Sequence, residues 1–219
     1  MSEFNKRIIT SLFLILVIFF SFQNLKILGF FLFILTFMTL AELHNMFKKI
    51  YKKKKLFLFI ANFLSVLYLS YFSITIIIFL SEKFIIDKFL VLYLLIICIL
   101  TDIGGYVFGK IIGGKKLTKI SPSKTFSGSI GSFLTSIFIG YLCYKIQTDL
   151  LLININIFIL IIITSFTSQV GDLFISLLKR KAKIKDTGSI LPGHGGVLDR
   201  IDGILFALPI GLLLIKMYT

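Results

Sequence analysis

Residues 172–202 read DLFISLLKRKAKIKDTGSILPGHGGVLDRID, a charged passage set between two apolar blocks at 153–171 and 203–217. It holds four carboxylates, six Lys or Arg, one histidine and four glycines. A charge near the bilayer centre costs about 2.5–3.5 kcal/mol even on insertion scales, so ionisable groups beside a span normally face a polar cavity or the interface and serve a function there. Carboxylates interleaved with Lys and Arg suit a site for divalent metal and phosphate.

Outward from that passage the chain is dominated by apolar blocks. Of its 219 residues, 57% are hydrophobic and 25 are Phe, more apolar surface than a water-soluble core of this size can bury. Further apolar runs cover 8–22, 27–43, 56–80, 89–108 and 129–144. A spanning helix needs about 17–25 such residues. The expectation is an all-α polytopic membrane protein of about seven transmembrane helices, with no separate soluble domain. Lys6 and Arg7 ahead of the first run look like the start of a secretion signal, but no small-x-small cleavage site follows, which favours an uncleaved first helix. The connection 23–26 is short enough that 8–43 could form a tight hairpin. Cys98 and Cys143 lie in apolar runs without CxxC or zinc spacing and read as buried small side chains.

Lysine placement sets the orientation. With a cytoplasmic N-terminus, that side carries two basic residues at 6–7, six at 48–55, five at 110–124 and six at 179–200, against five on the other side, at 26, 83, 88, 145 and 216. This positive-inside bias predicts an N-in, C-out topology with the glycine- and lysine-rich loops on the cytoplasmic side. The net charge of +14 is therefore mostly a topology signal, with some attraction for acidic membrane lipids. The run KKIYKKKK at 48–55 reads as a solvated anchor between spans, and His44 beside it as an interfacial polar residue. Basic residues divided among loops, with no recognition fold, argue against nucleic acid as a partner.

The loop 101–128, TDIGGYVFGKIIGGKKLTKISPSKTFSG, places Asp102 at the end of the fourth span, followed by five glycines up to Gly114 and by lysines at 110, 115, 116, 119 and 124. Glycines let backbone N–H groups approach phosphate oxygens and lysines add charge. The spacing matches neither a Walker A loop nor GxGxxG; a flexible basic loop is the alternative. SPSKT at 121–125 is a proline-fixed turn presenting hydroxyls and one lysine.

In the opening passage, Asp172, Ser176, Lys179 and Lys183 fall at spacings of four, three and four, which puts them on one face of a helix continuing past the span. The helix is expected to stop before Gly188, with 192–196 an irregular loop. Asp199 and Asp202 share a face if the last span starts there. Two carboxylates from one helix and one from another make an oxygen-rich site suited to Mg²⁺.

Residues 176–202 resemble the signature of phosphatidate cytidylyltransferases (CDP-diacylglycerol synthases), S-x-apolar-K-R-x4-K-D-x-small-x2-apolar-P/G-x-H-G-G-apolar-x-D-R-apolar-D. Ser176, Lys179, Arg180, Lys185, Asp186, Gly188, Pro192, His194, Gly195, Gly196, Asp199, Arg200 and Asp202 fill its positions. The upstream loop is similar to the family's second region through Asp102, Tyr106, Gly109, Gly113, Lys116, Ser121, Pro122, Lys124, Thr125 and Gly128. Gly105 stands where the family usually has alanine, and Ser127 where it usually has an acid. The first ninety residues match only as generic spans, with fewer of them than in typical relatives.

The resemblance implies N-terminal transmembrane helices over 1–95 and a catalytic region over 96–219. It implies transfer of CMP from CTP to phosphatidic acid, giving CDP-diacylglycerol and pyrophosphate, in a bacterial-type inner membrane. Such chemistry rests on positioning and on charge stabilisation by metal ions and Lys or Arg, with no protein nucleophile. The expected metal ligands are Asp172 and Asp199 with Asp102, for Mg²⁺ as one ion or two, with a monovalent cation as an alternative addition. Lys179, Asp202 and Arg200 join Asp172 and Asp199 as catalytic residues. Lys124, Ser123, Ser176, Arg180, Lys185, His194, Gly195 and Gly196 are expected to bind substrate. A structural Asp199–Arg200 pair is an alternative. A homodimer is a candidate assembly. Competing functions are a CTP-dependent lipid-alcohol kinase, a transporter, and a lipid-binding member without turnover.

Overall fold

A computed structural model describes residues 16–81, 85–118, 121, 124–146, 156–190 and 195–218. Among these residues the chain is helical, without a strand, and six helices are long and apolar enough to cross a membrane: α1 (Leu25–Ile50), α2 (Lys55–Ser81), α3 (Ile85–Ile111), α4 (Phe126–Ile146), α5 (Ile157–Lys181) and α6 (Leu198–Tyr218). The protein is a multi-pass membrane protein. Five of the helices contain an apolar run expected from the sequence and outrun it at both ends, while α5 covers 157–171 of the run expected at 153–171. Residues 8–15 of the expected first span, 8–22, lie outside the described residues; residues 16–23 are helical and end at Asn24, whose side chain caps α1 by accepting from the Lys26 N–H at 2.9 Å.

The chain divides into two compact units, residues 1–81 with 178–201, and residues 82–177 with 202–219. In the first, α1 and α2 are joined by the tight turn 51–54, with Lys48 and Lys49 in the last turn of α1 where they complement the helix dipole. Met46, Leu69 and Phe72 are buried. Two polar pairs tie the helices: Thr36 Oγ1 lies 2.8 Å from Ser73 Oγ, and His44 Nδ1 lies 3.1 Å from Asn62 Oδ1. Segment 178–201 completes the unit.

That segment departs from the expected helix. α5 ends at Lys181, and Lys183 sits at φ 55. The Ile184 N–H reaches the Lys179 carbonyl at 3.0 Å and the Lys183 N–H the Arg180 carbonyl at 3.1 Å. This is a left-handed helix stop, which glycine usually occupies. Lys183 is thus not on the helix face shared by Asp172, Ser176 and Lys179. Lysine gives no local signal for such a stop.

In the second unit, α3 runs ten residues beyond Thr101, so the first third of the expected loop 101–128 is helix and Asp102 lies within it. Its glycines serve packing. A Cβ on Gly104 would stand 2.6 Å from the Gly131 carbonyl oxygen, one on Gly131 2.3 Å from Phe108 Cβ, and one on Gly128 2.7 Å from the Gly105 carbonyl oxygen. Small residues let membrane helices approach backbone to backbone, and here they bring α3 against α4. The N–H groups of helical glycines belong to the helix and are not a phosphate cradle. Hydroxyls fasten α3 to both neighbours: Ser132 Oγ of α4 donates to the Thr101 carbonyl at 2.7 Å, and Thr101 Oγ1 donates to Ser165 Oγ of α5 at 2.9 Å. Gly171 of α5 abuts the Asp202 carbonyl and Phe206 of α6. Phe138, Ile130 and Phe166 are among many apolar side chains left exposed, as lipid contact requires.

Candidate active site

The second unit contains a cavity of about 260 Å³ between α3, α4 and α5, lined by Asp102, Tyr106, Lys124, Ser129, Gln169 and Asp172 among others. Asp102 comes from α3 and Asp172 from α5, so two carboxylates on different helices border one polar hollow; the set read from the spacing, Asp172 with Asp199 and Asp202, is a different one. Lys124 forms an ion pair with Asp172 Oδ2, and Ser176 Oγ, one turn on, donates to Asp172 Oδ1 at 3.3 Å.

Lys124 is delivered by a small hairpin. Leu117 N–H donates to the Lys124 carbonyl at 2.8 Å, Phe126 N–H to the Lys115 carbonyl at 3.1 Å, and Lys116 bridges Thr125. Gly113 and Gly114, at φ 64 and 99, make the turn into it, the left-handed geometry that suits glycine. Thr125 Oγ1 caps α4 by accepting from the Gly128 N–H at 3.0 Å. Ser127, where the family usually has an acid, donates its hydroxyl to the Gly113 carbonyl and so pins the turn. Ser123 lies outside the described residues, as does His194.

Ser129 and Gln169 also face this cavity, and the sequence reading passed over both. Ser129 Oγ donates to Gln169 Oε1 at 2.6 Å, while Gln169 Nε2 is buried with no hydrogen-bond partner among the described residues. A glutamine inside an apolar block was the available signal.

The first unit holds a second polar cluster, built from the signature passage. Asp199, in the first turn of α6, has both carboxylate oxygens engaged: Oδ1 accepts from Lys179 Nζ at 2.8 Å, and Oδ2 from the N–H groups of Thr187 at 2.8 Å and Gly196 at 3.2 Å. Lys179 is thus an ion partner of Asp199. Thr187 Oγ1 lies 3.0 Å from the same Oδ2 and 2.7 Å from Glu42 Oε2. Glu42 belongs to α1. Its Oε1 also accepts from the Val197 N–H and its Oε2 from the Leu198 N–H, each at 2.9 Å.

The signature glycines are explained by this packing. A Cβ on Gly188 would stand 2.6 Å from Glu42 Oε1, and one on Gly196 would stand 1.9 Å from Thr187 Oγ1. Gly195 has φ 82. Arg180, Lys185 and Arg200 are exposed around the cluster. Asp202 lies in the other unit, with its Oδ1 accepting from the Gly203 N–H at 2.9 Å. Of the residues proposed from sequence, the structure thus groups Asp102, Lys124, Asp172 and Ser176 in one place, and Lys179, Gly195, Gly196 and Asp199 in another. Among the described residues no group of three or more His, Cys, Asp or Glu side chains is gathered as a metal-ligand set.

Residues 61–218 match the model of the Cytidylyltransferase family, well over half of the chain. The chain is 42% identical over 132 residues to the phosphatidate cytidylyltransferase of Staphylococcus haemolyticus (strain JCSC1435), 44% over 131 residues to that of Staphylococcus epidermidis (strain ATCC 12228 / FDA PCI 1200) and 43% over 132 residues to that of Staphylococcus aureus (strain COL). Each alignment covers 58% of this chain and 49% of the relative. The chain thus spans about half the length of the curated relatives it matches.

Proposed function

The chain belongs to the cytidylyltransferase family, and from that premise we propose that it transfers CMP from CTP to phosphatidic acid, releasing pyrophosphate and forming CDP-diacylglycerol in a bacterial inner membrane. The observation that carries this reading is the cavity bordered by Asp102, Asp172 and Lys124, in a chain whose relatives are named for that reaction.

A phosphate oxygen of phosphatidate attacks the α-phosphorus of CTP, the new P–O bond forms as the bond to the β-phosphate oxygen breaks, and pyrophosphate leaves. Phosphatidate is ionised near neutral pH, so no protein nucleophile is needed and the work is alignment and charge neutralisation. Lys124 presents its ammonium in the cavity, where it would meet phosphate oxygens. Lys179, Arg180, Lys185 and Arg200 supply further positive charge along the signature. Catalysis in the region 96–219 on the cytoplasmic side, with the N-terminal helices of 1–95 as scaffold, completes the reading.

Mg²⁺ is part of the proposal. It favours a few carboxylates and keeps positions for water and substrate phosphates, and the donor set of Asp102 and Asp172, already neutralised in part by a lysine, fits that preference. These two residues would hold the ion, which when bound would offset the charge on the phosphates. Asp199, the third ligand expected from the sequence, belongs to the other unit, with Oδ1 on Lys179 and Oδ2 on two backbone N–H groups, and is left out of this donor set.

The test is direct. Purified protein in detergent with Mg²⁺, phosphatidate and CTP labelled in the α-phosphate should move label into the lipid phase with equimolar pyrophosphate. CDP release in place of pyrophosphate would make it a kinase. Asp172→Asn and Lys124→Ala should each lose about 10²-fold or more of the rate, and EDTA should abolish it. Near-normal turnover in Asp172→Asn removes that cavity from the chemistry.

A further inference from the structure

Glu42 is the sole acidic residue between Glu3 and Glu82. It stands in a helix of membrane-spanning length, is 2% exposed, and precedes the segment that matches the family. An ionisable group in that setting is costly unless its partners repay it. Here they are three donors within 2.9 Å: the Val197 and Leu198 N–H groups and the Thr187 hydroxyl.

Those backbone donors are the open N-terminus of α6, which starts at Leu198. The first N–H groups of a helix lack intrahelical partners, and a Ser, Thr, Asn or Asp just before the helix usually meets one. Val197 holds that place here, and its apolar side chain offers no acceptor. A carboxylate from α1, more than 150 positions away in the chain, caps the helix instead, where the dipole also favours negative charge. Gly188 and Gly196 leave the space it fills, since a Cβ on either would come within 2.6 Å of its oxygens. Thr187 then links Glu42 to Asp199. Its single proton can serve only one carboxylate at a time, while its N–H stays on Asp199.

We infer that Glu42 is a positioning residue: it clamps Thr187 to the start of α6 at Val197 and Leu198 and thereby sets the side chain of Asp199 against Lys179, so a helix outside the family match is a working part of the Asp199 cluster. This rests on the cytidylyl-transfer reading for its catalytic consequence, but the clamp itself does not.

The test combines turnover with amide hydrogen exchange on the full chain in detergent. In Glu42→Gln, whichever way the amide turns, its NH₂ faces a backbone N–H, donor against donor. The expected result is a fall of roughly tenfold or more in kcat, with the KM for CTP moving far less, and exchange at Val197 and Leu198 faster by roughly tenfold while the buried amides of α3 and α4 keep their protection. Glu42→Asp, which keeps the charge, should recover part of both. Should Glu42→Gln not insert, Thr187→Val tests the same link, with a smaller loss expected. Unchanged exchange at 197–198, or kcat within twofold of wild type, overturns the inference, as does a loss of protection throughout the chain. If the wild-type protein transfers no CMP to phosphatidate, the reading of function has failed, and the exchange result alone then upholds or overturns the clamp.

Discussion

At the scale of single residues, Lys183 shows how a side chain can hold a place better suited to another. Its φ of 55 closes α5, and a left-handed conformation costs an L-residue roughly 1–2 kcal/mol that glycine avoids. Lys183→Gly is therefore expected to raise stability by up to about 1 kcal/mol, after the extra freedom of glycine in the unfolded chain is subtracted. Thermal unfolding in detergent reads this as a rise in midpoint; a fall would mean that the lysine stem or charge does more than close the helix. The spacing of 179 and 183 suggested a shared helical face because only a glycine or asparagine would have announced the stop. Glu42 was hidden for a different reason. Its partners lie more than 140 positions away in the chain, and no local pattern encodes such a pairing; only the anomaly of one acid among apolar residues pointed to it.

At the scale of elements, the spans were legible because a bilayer about 30 Å thick imposes a minimum run of apolar residues, and α1 to α6 each coincide with one over most of its length. Their ends were not. A helix rising 1.5 Å per residue crosses that thickness in about 20 residues, whereas α2 and α3 have 27 each, and the surplus turns lie where polarity no longer distinguishes helix from loop. The glycines of 104–131 carry the same ambiguity, since a glycine that admits a phosphate and one that admits a neighbouring helix look alike in sequence. Packing distinguishes them. Gly131→Ala would set a methyl 2.3 Å from Phe108 Cβ, and overpacking of that kind costs about 1–3 kcal/mol. Gly29→Ala, with nothing within 4 Å of the added carbon, should cost nothing and gain up to about 1 kcal/mol of helix propensity. Unfolding midpoints that fail to separate the two variants would remove close packing as the reason for Gly131. The two-carboxylate hollow was legible in part: Asp102 and Asp172 were marked by their cost in an apolar chain, while Ser129 and Gln169, uncharged, were not.

For the molecule as a whole, the order of the spans makes a prediction that the lysines can test. If α1 to α6 all cross the membrane, the segments after α1, α3 and α5 emerge on one side, because two crossings separate each from the next. These are the segments that carry the lysines of 48–55, the hairpin with Lys124, and the signature passage. The positive-inside rule assigns that side to the cytoplasm, and the proposed chemistry requires the same, since CTP is a polyanion that does not cross a bilayer. Single cysteines at Lys52, Lys115 and Lys181, in a background with Cys98 and Cys143 replaced by serine or alanine, should therefore react with a membrane-impermeant maleimide in inside-out vesicles and stay unlabelled in intact cells, while one at Lys26 should show the reverse. Labelling of Lys52→Cys and Lys115→Cys from opposite sides would break the crossing pattern. Labelling of all three from outside the cell would leave the crossings intact and put the signature where CTP is absent, which is incompatible with the proposed reaction.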